Sequence, residues 1–493
     1  MKVLVANRGE IAVRILRACR DLGFPSVAVY SEADRQAMHT RYADEAVEIG
    51  PTPAAESYLN IEKILLAAQE SGADAVHPGY GFLSENTAFA RAVEDAGLVF
   101  IGPTPETISL TGDKLAARRT AREAGLPVLA GPDVPLHDEI PNALLKKVTY
   151  PVLIKAVSGG GGRGIRLAKN SSELEVMVQA ARQEALASFG DDTVYFEPLV
   201  QQARHIEIQI IGDGLGRILC LGERECSIQR RRQKLIEESP APSLSPGMRR
   251  KLYDAAVSLG KALNYRSLGT VEFLLDEKGS FYFIEVNPRI QVEHPVTEMV
   301  TGIDLVNIQL QLAAGQPFKY AQEDIITHGS AIEARVIAED PENGFLPATG
   351  EITFLKEAGG PGVRIDTAIY LGMQITSDYD SLIAKVIGWG EDRQTAIRRL
   401  RRGLTEVQIG GVATDIDFLI QIIDSEPFIQ GRANTTYLET FHPVYPAGED
   451  SIEQRLALTA AILEHQNRIG RPPAQDGNQA SSWQAASWRE QMH

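Results

Sequence analysis

The stretch Phe281-Tyr-Phe-Ile-Glu-Val-Asn-Pro-Arg-Ile-Gln-Val-Glu-His294 holds the acid and amide groups best placed to do chemistry. It begins as a strand of aromatic and β-branched residues, and Gly269-Thr-Val-Glu-Phe-Leu-Leu275 reads as its upstream partner. A hairpin turning on Lys278-Gly279 sets Glu272 directly opposite Glu285 on one face. Cross-strand Cβ atoms stand about 5 Å apart, where like charges are destabilising. At an effective dielectric of about 20, two carboxylates there repel by roughly 3 kcal/mol. A shared proton or a hard cation would offset that. Asn287 follows two residues on and points the same way. Two carboxylates and an amide oxygen make a candidate Mg²⁺ (or Mn²⁺) site that also accepts phosphate oxygens. The competing reading is the solvated face of a surface hairpin, and the hairpin alone leaves both open.

A second candidate is the loop Ser158-Gly-Gly-Gly-Gly-Arg-Gly164 after the strand Pro151-Val-Leu-Ile-Lys155. Glycines let backbone N–H groups approach phosphate oxygens, and Lys155 can reach them as a point charge. Alone such a loop is weak evidence. Joined with the carboxylate hairpin, it points to ATP held between a glycine lid and an acidic sheet. The P-loop pattern GxxxxGK[ST] is absent.

These groups need a scaffold. The first hundred residues alternate strand and helix: Val3 to Ala6, a helix burying Ile11, Ile15, Leu16, Cys19 and Leu22, Ser26 to Tyr30, a helix near 57–70, Ala73 to His77, a helix near 86–96 and Leu98 to Ile101. That alternation argues for a parallel α/β sheet. No GxGxxG follows the first strand, so a dinucleotide site is unsupported. Residues 113–125 read as a basic helix. Between 204 and 211, His205, Glu207 and Gln209 alternate with Ile206, Ile208 and Ile210, the pattern of a half-buried strand with one polar face. Residues 330–410 are richer in strands, and a helix carries Ile397, Leu400 and Leu404. The tail beyond Tyr445 has a helix pattern at 450–468 and then a linker-like Pro/Gln/Gly stretch.

Composition bounds the function. The chain has 493 residues, enough for about three domains, with ordinary hydrophobic (44%) and charged (23%) content. A net charge of -16 disfavours general nucleic-acid binding, and Arg230 to Lys234 reads first as a solvated charge run. Three cysteines with no CxxC pair argue against a zinc site or a disulfide framework. No segment has the length and apolarity of a membrane span or a signal peptide, which points to the cytoplasm.

With these residues in place, the chain resembles biotin carboxylase, a member of the ATP-grasp superfamily. The resemblance rests on Ala6 to Ala12, His77 to Asn86, Gly112-Asp-Lys114, Lys155 with its glycine loop, Arg204 to Gln209, Glu237 to Pro242 and Ile284 to Thr297, in family order over residues 1 to about 440. It implies an N-terminal parallel α/β domain (1–112), an ATP-grasp domain (113–327, lid about 131–202), a mixed α+β C-terminal domain (328–445) and a tail (446–493). The implied reaction is ATP-dependent carboxylation of biotin by bicarbonate through carboxyphosphate.

By the same resemblance, Lys114, Lys155, Gly161 and Gly162 would bind ATP phosphates. Glu197, Pro198, Leu199 and Val200 would line the adenine pocket, with His205, Gln229, Arg232 and Leu274 also on the nucleotide side. Glu272, Glu285 and Asn287 would hold the metal. Glu293 would take the bicarbonate proton, with Arg289, Gln291, Val292 and Lys234 around the anion. Arg335 would stabilise the biotin enolate, and Tyr80 and Glu85 would lie near biotin. Departures from the family pattern are Arg232 in place of histidine, Val157-Ser158 before the glycines, Pro198 in place of lysine, and Ala334 and Ile337 beside Arg335. No Ala-Met-Lys-Met occurs, so biotin is expected on a partner carrier protein. Ser481 to Arg489 resembles a Trp-containing segment of long acyl-CoA carboxylase α subunits, which makes the tail a candidate docking segment for carrier or carboxyltransferase subunits; a disordered tail is the other reading. A homodimer is implied by the resemblance alone. The rival functions are another ATP-grasp ligase, a split pyruvate carboxylase and a non-catalytic ATP-binding regulator.

Overall fold

β1 (Val3–Val5) is buried along its whole length, and the helix Gly9–Asp21 that follows buries Ile11, Ile15, Leu16 and Cys19 against it. In this computed structural model, residues 1–131, 148–157, 164–445 and 459–465 are described. β2 (Ser26–Ser31), β3 (Glu45–Gly50), β4 (Ala75–His77) and β5 (Val99–Phe100) complete a parallel sheet in the order β3-β2-β1-β4-β5. The alternation of strand and helix anticipated this sheet. Its order reverses at β1 and β4, so the loops after those strands border a crevice at their carboxyl ends. Asn7 ties the two loops together, donating from Nδ2 to the carbonyls of Pro78 at 2.7 Å and Tyr80 at 2.8 Å. Gly79 is required there: its φ is +63°, and a Cβ would stand 2.9 Å from Asn7 Nδ2.

A small antiparallel sheet follows, with β6 (Val152–Ala156) between β7 (Ile165–Ala168) and β8 (Val194–Pro198). The helix Ser171–Phe189 covers it, capped by Asn170, whose side chain accepts from the N–H groups of Ser172 and Glu173. Gly161 and Gly162 lie outside the described residues.

The third and largest sheet is antiparallel throughout. Its strands are β9 (Arg204–Asp213), β10 (Ile218–Arg230), β11 (Gln233–Ser239), β12 (Arg266–Leu275), β13 (Phe281–Asn287), β14 (Ser330–Ile337), Val363–Thr367 and Leu382–Gly390. The order is β13-β12-β9-β10-β11-β14, then Leu382–Gly390, then Val363–Thr367. One sheet therefore runs from the central segment into the C-terminal one through the β11–β14 pairing. The expected half-buried character of 204–211 is corrected: Glu207 and Gln209 are as buried, at 0% exposure, as Ile206 and Ile208. The isoleucines pack on the helix Pro246–Ala262, while the polar face meets charged side chains of its neighbours.

Glu272 does pair with Glu285, but not for the reason the sequence offered. The turn closes one step tighter, with Asp276 N–H donating to Ser280 O at 2.9 Å, and the outer rungs pair Leu275 with Phe281 and Phe273 with Phe283. That register alone would misalign the acids. Ile284 is an extra residue on β13, a β-bulge, and beyond it Glu272 faces Glu285 and Thr270 faces Asn287. Among the described residues no helix is long and apolar enough to cross a membrane. Pro443–His493 separates as a second unit, in which 459–465 are helical; the rest of the predicted tail helix and Ser481 to Arg489 lie outside the described residues.

Candidate active site

Three glutamates stand abreast on three adjacent strands. Glu285 of β13 pairs with Glu272 of β12, Glu272 with Glu207 of β9, and Glu207 with Arg224 of β10. Arg224 is fully buried; it donates from Nε to Glu207 and from Nη1 to Gln209 Oε1 at 2.7 Å and Thr297 Oγ1 at 2.9 Å. Lys234, rising from β11, donates to Glu207 at 2.6 Å, Glu272 at 2.9 Å and Glu293 at 2.7 Å. His205 Nε2 lies 2.8 Å from Glu272 Oε2, off the line of a hydrogen bond, and its Nδ1 faces the Gln229 amide at 2.7 Å.

The two opposed acids end up in different states. Burial pushes Glu272 up, but Lys234 and His205 outweigh it and hold the carboxyl far below its usual range. Burial and the Glu272 charge push Glu285 up, only partly offset by Lys114 and Lys155. Among the described residues no hydrogen bond or ion pair reaches Glu285. Arg224 and Lys234 together offset Glu207 and Glu272, so the missing charge is on the Glu285 side. A hard dication fits there. Asn287 differs from expectation in detail: its Nδ2 donates to Glu272 at 2.8 Å and its Oδ1 accepts from Arg289 at 3.2 Å. Turned over, the same amide presents its oxygen to a cation beside Glu272.

Glu293 precedes the helix His294–Thr301 and is fully buried. Its Oε1 accepts from Lys234 and its Oε2 from Arg335 Nη2 at 2.9 Å. Burial would raise this carboxyl; Lys234, Arg335 and Arg224 outweigh it and hold Glu293 well below the usual carboxylate range. Arg289 donates to Glu85 at 2.6 Å and to Gln291 Oε1 at 3.0 Å, and Val292 O accepts from Lys385 at 3.0 Å. Tyr80 donates its hydroxyl hydrogen bond to Glu10.

On the other side of the site, Lys155 of β6 pairs with Glu197 of β8, and Arg118 Nη1 lies 3.3 Å from the same carboxylate. Lys114 opens the helix Lys114–Glu123, capped by Asp113, which accepts from the N–H groups of Leu115 and Ala116. Burial, working against Glu285, lowers the Lys114 ammonium below its ordinary value. A cleft of about 530 Å³ lies here, lined by Glu85, Asp113, Arg119, Val157 and Thr193 among others. Pro198 ends β8, an edge strand, and Leu199 N–H continues the bonding to Pro151 O at 3.0 Å, so the missing N–H breaks no rung. Val200 follows just beyond; Leu274 sits on β12 opposite His205, and Arg232 sits in the β10–β11 turn with a left-handed φ of 67°.

The comparisons with known proteins address the whole assembly. Family models match "Biotin carboxylase, N-terminal domain" at residues 1–108, "Carbamoyl-phosphate synthase L chain, ATP binding domain" at 113–321 and "Biotin carboxylase C-terminal domain" at 333–440. The biotin carboxylase of Nostoc sp. is 50% identical over 439 residues, covering 89% of this chain and 98% of its own. The chain belongs to the biotin carboxylase family. It is an ATP-dependent ligase, and solved structures of the family agree with its fold. The biotin carboxylase domain dimer of the Hydrogenobacter thermophilus 2-oxoglutarate carboxylase, in complex with MgADP, ADP and bicarbonate, is similar at a TM-score of 0.86 and 47% identity over 89% of this chain and 97% of that one. The Campylobacter jejuni biotin carboxylase in its β,γ-ATP complex is similar at a TM-score of 0.87 and 44% identity, covering 89% of this chain and 98% of that one.

In this biotin carboxylase chain the structure also brings in residues that sequence reasoning did not assign. Glu207 and Arg224 complete the carboxylate row, Lys385 holds the Val292 carbonyl, and Glu237 holds Arg335 through Nε at 2.6 Å. The polar beat at 205, 207 and 209 carried a signal for Glu207. Lys385 stood out only as a lone charge in the apolar run Leu382 to Gly388. His77 is structural: buried, with Nδ1 accepting from Gly79 N–H at 3.0 Å.

Proposed function

We propose that this chain carboxylates biotin presented by a carrier protein, using ATP and bicarbonate. The observation that carries this reading is Glu293: a fully buried, ionised carboxylate gripped by Lys234 and Arg335 beside a row of glutamates. So held, it is charged but a weak base. A bicarbonate entering beside Lys234, Arg335 and Arg289 shares their charge, which raises the proton affinity of Glu293 as the proton is to be taken. Arginine pairs suit such a planar oxyanion, and a positioned base contributes roughly 10²–10⁴-fold. Glu272, Glu285 and Asn287 are the residues that would hold Mg²⁺, which would neutralise phosphate charge when bound. Lys114 and Lys155 would hold the phosphates, with Gly161 and Gly162 over them, and Glu197, Pro198, Leu199, Val200, His205, Gln229, Arg232 and Leu274 would line the nucleotide. Arg335 would then turn to the biotin enolate beside Tyr80 and Glu85.

The same reading divides the chain at 112, 327 and 445, places it in the cytoplasm as a homodimer, and assigns carboxyltransferase subunits as further partners. The similarity of Ser481 to Arg489 to a docking segment supports an acyl-CoA carboxylase setting. The test is ATP hydrolysis with and without bicarbonate and free biotin. Glu293→Gln should abolish the bicarbonate-dependent turnover and leave ATP binding near normal. Full activity in that variant would remove Glu293 as the base.

A further inference from the structure

The large sheet holds a second pair of opposed carboxyls. Glu237 of β11 faces Glu333 of β14, and both are at 0% exposure. Glu237 Oε1 accepts from Arg335 Nε at 2.6 Å, but its Oε2 and both oxygens of Glu333 have no hydrogen-bond partner among the described residues. The nearby cations are shared with other groups. Arg335 Nη2 lies 2.5 Å from the same Glu237 oxygen and 2.9 Å from Glu293, and Lys385 Nζ is 3.0 Å from Val292 O and 3.1 Å from Glu10. The charged groups acting on Glu333 are Lys385 on the strand Leu382–Gly390, Glu237 on β11, Arg335 on its own strand and Glu293 ahead of the helix His294–Thr301. Within that helix His294 is kept neutral by burial, its ring lowered to about 3, and Glu298 is engaged by Arg14 and Arg364. The helix Arg393–Glu406, also packed on β14, contributes Ala396 and Leu400 to the apolar core.

An ionised carboxylate buried without a donor is strongly unfavourable, and a second one opposite makes it worse. A carboxylic acid removes both problems, because its O–H satisfies the neighbour's bare oxygen and cancels one charge. We propose that Glu333 carries a proton that it donates to Glu237, and that this shared proton positions Arg335 between Glu237 and Glu293. Burial, opposed by Lys385 and reinforced by Glu237, pushes Glu333 well above the usual carboxylate range, and burial raises Glu237 as well. With the proton in place the pair bears one negative charge, so Arg335 Nη2, 2.5 Å from Glu237 Oε1 and 2.9 Å from Glu293 Oε2, is shared between the two instead of being drawn wholly to Glu237. Without it, doubled negative charge draws Arg335 back from Glu293. Glu333 touches no substrate, so it is a positioning residue.

The kinetic arm of the test rests on the biotin carboxylation reading; the infrared arm does not. Infrared difference spectra of the full chain near neutral pH, wild type against Glu333→Gln, should contain a protonated carboxyl band that the variant lacks. No such band overturns the proposal. In turnover, Glu333→Leu should lose about tenfold or more in kcat with little change in KM for ATP. Glu333→Gln, whose amide N–H can donate to Glu237 in the same way, should restore most of that loss. The alkaline decline of kcat, set by departure of the shared proton, should flatten in Glu333→Gln. Equal losses in the two variants, or superimposable pH profiles for wild type and Glu333→Gln, overturn the proposal. Should Glu333→Leu fail to fold, the glutamine variant and the infrared band still decide. A wild type without biotin-dependent turnover defeats the functional reading and leaves the infrared result to settle this one.

Discussion

The same awkward motif, two glutamates opposed across neighbouring strands, occurs twice in one sheet with two outcomes. At the β12–β13 rung, Glu272 is surrounded by Lys234, His205 and Asn287, and Glu285 is half-buried and acts on Lys114. At the β11–β14 rung, Glu237 and Glu333 are sealed, with Arg335 the one bonded donor among the described residues. Solvent access separates them. On the proposed reading, an acid pair that a hydrated cation can reach would take a metal, and one that it cannot reach keeps a proton. Opposed carboxylates in a sheet are therefore not in themselves a metal signature.

Substitutions can break this contrast. The largest effect is expected for Glu285→Gln, which should lower kcat by roughly 10²-fold or more by weakening charge neutralisation at phosphate. It should also raise the thermal midpoint of the ligand-free protein, since up to roughly 3 kcal/mol of repulsion disappears. A ligand-free midpoint below wild type would mean that the pair is not repulsive. Next in size is the magnesium response: Mg²⁺ with an ATP analogue should raise the midpoint of wild type and Glu333→Gln but scarcely that of Glu285→Gln. An equal response in all three would erase the distinction between the rungs. A control acid outside both rungs is Asp415, which accepts from Ile337 N–H at 2.8 Å. Burial pushes its carboxyl up to about 8. Below about pH 4 both folded and unfolded states keep the proton and the stabilisation is complete. Above that the unfolded chain ionises first, and the advantage declines by about 1.4 kcal/mol per pH unit until the folded group ionises. Asp415→Asn should therefore gain on wild type in urea unfolding between about pH 6 and about pH 8; a constant difference would place the group's titration elsewhere.

Much of this was legible in residue order. The parallel sheet followed from strand and helix alternation, and Glu272 opposite Glu285 followed from a period of two. The hairpin was nonetheless read through the wrong turn and came right because of the Ile284 bulge, which no pattern in Phe281 to Asn287 announces. Arg224 and Glu207 meet across a hairpin, so their pairing was within reach once 204–211 was read as a strand. Glu237 with Glu333, and Lys385 with the Val292 carbonyl, were out of reach: those partners come from segments far apart in the chain, brought together by the order of the sheet and the turn that follows β13. The burial of Glu207 and Gln209 was also hidden, because alternation marks two faces without saying that charge covers one of them.

The extra residue at Ile284 has a practical side. It separates the rungs near Asp276 and Ser280 from those that bear Glu285 and Asn287, so the tip keeps its own alignment. Lys278, Gly279 and Ser280 are exposed there. A fluorophore or affinity handle grafted at that tip would report on nucleotide engagement from close by while leaving the acidic row undisturbed.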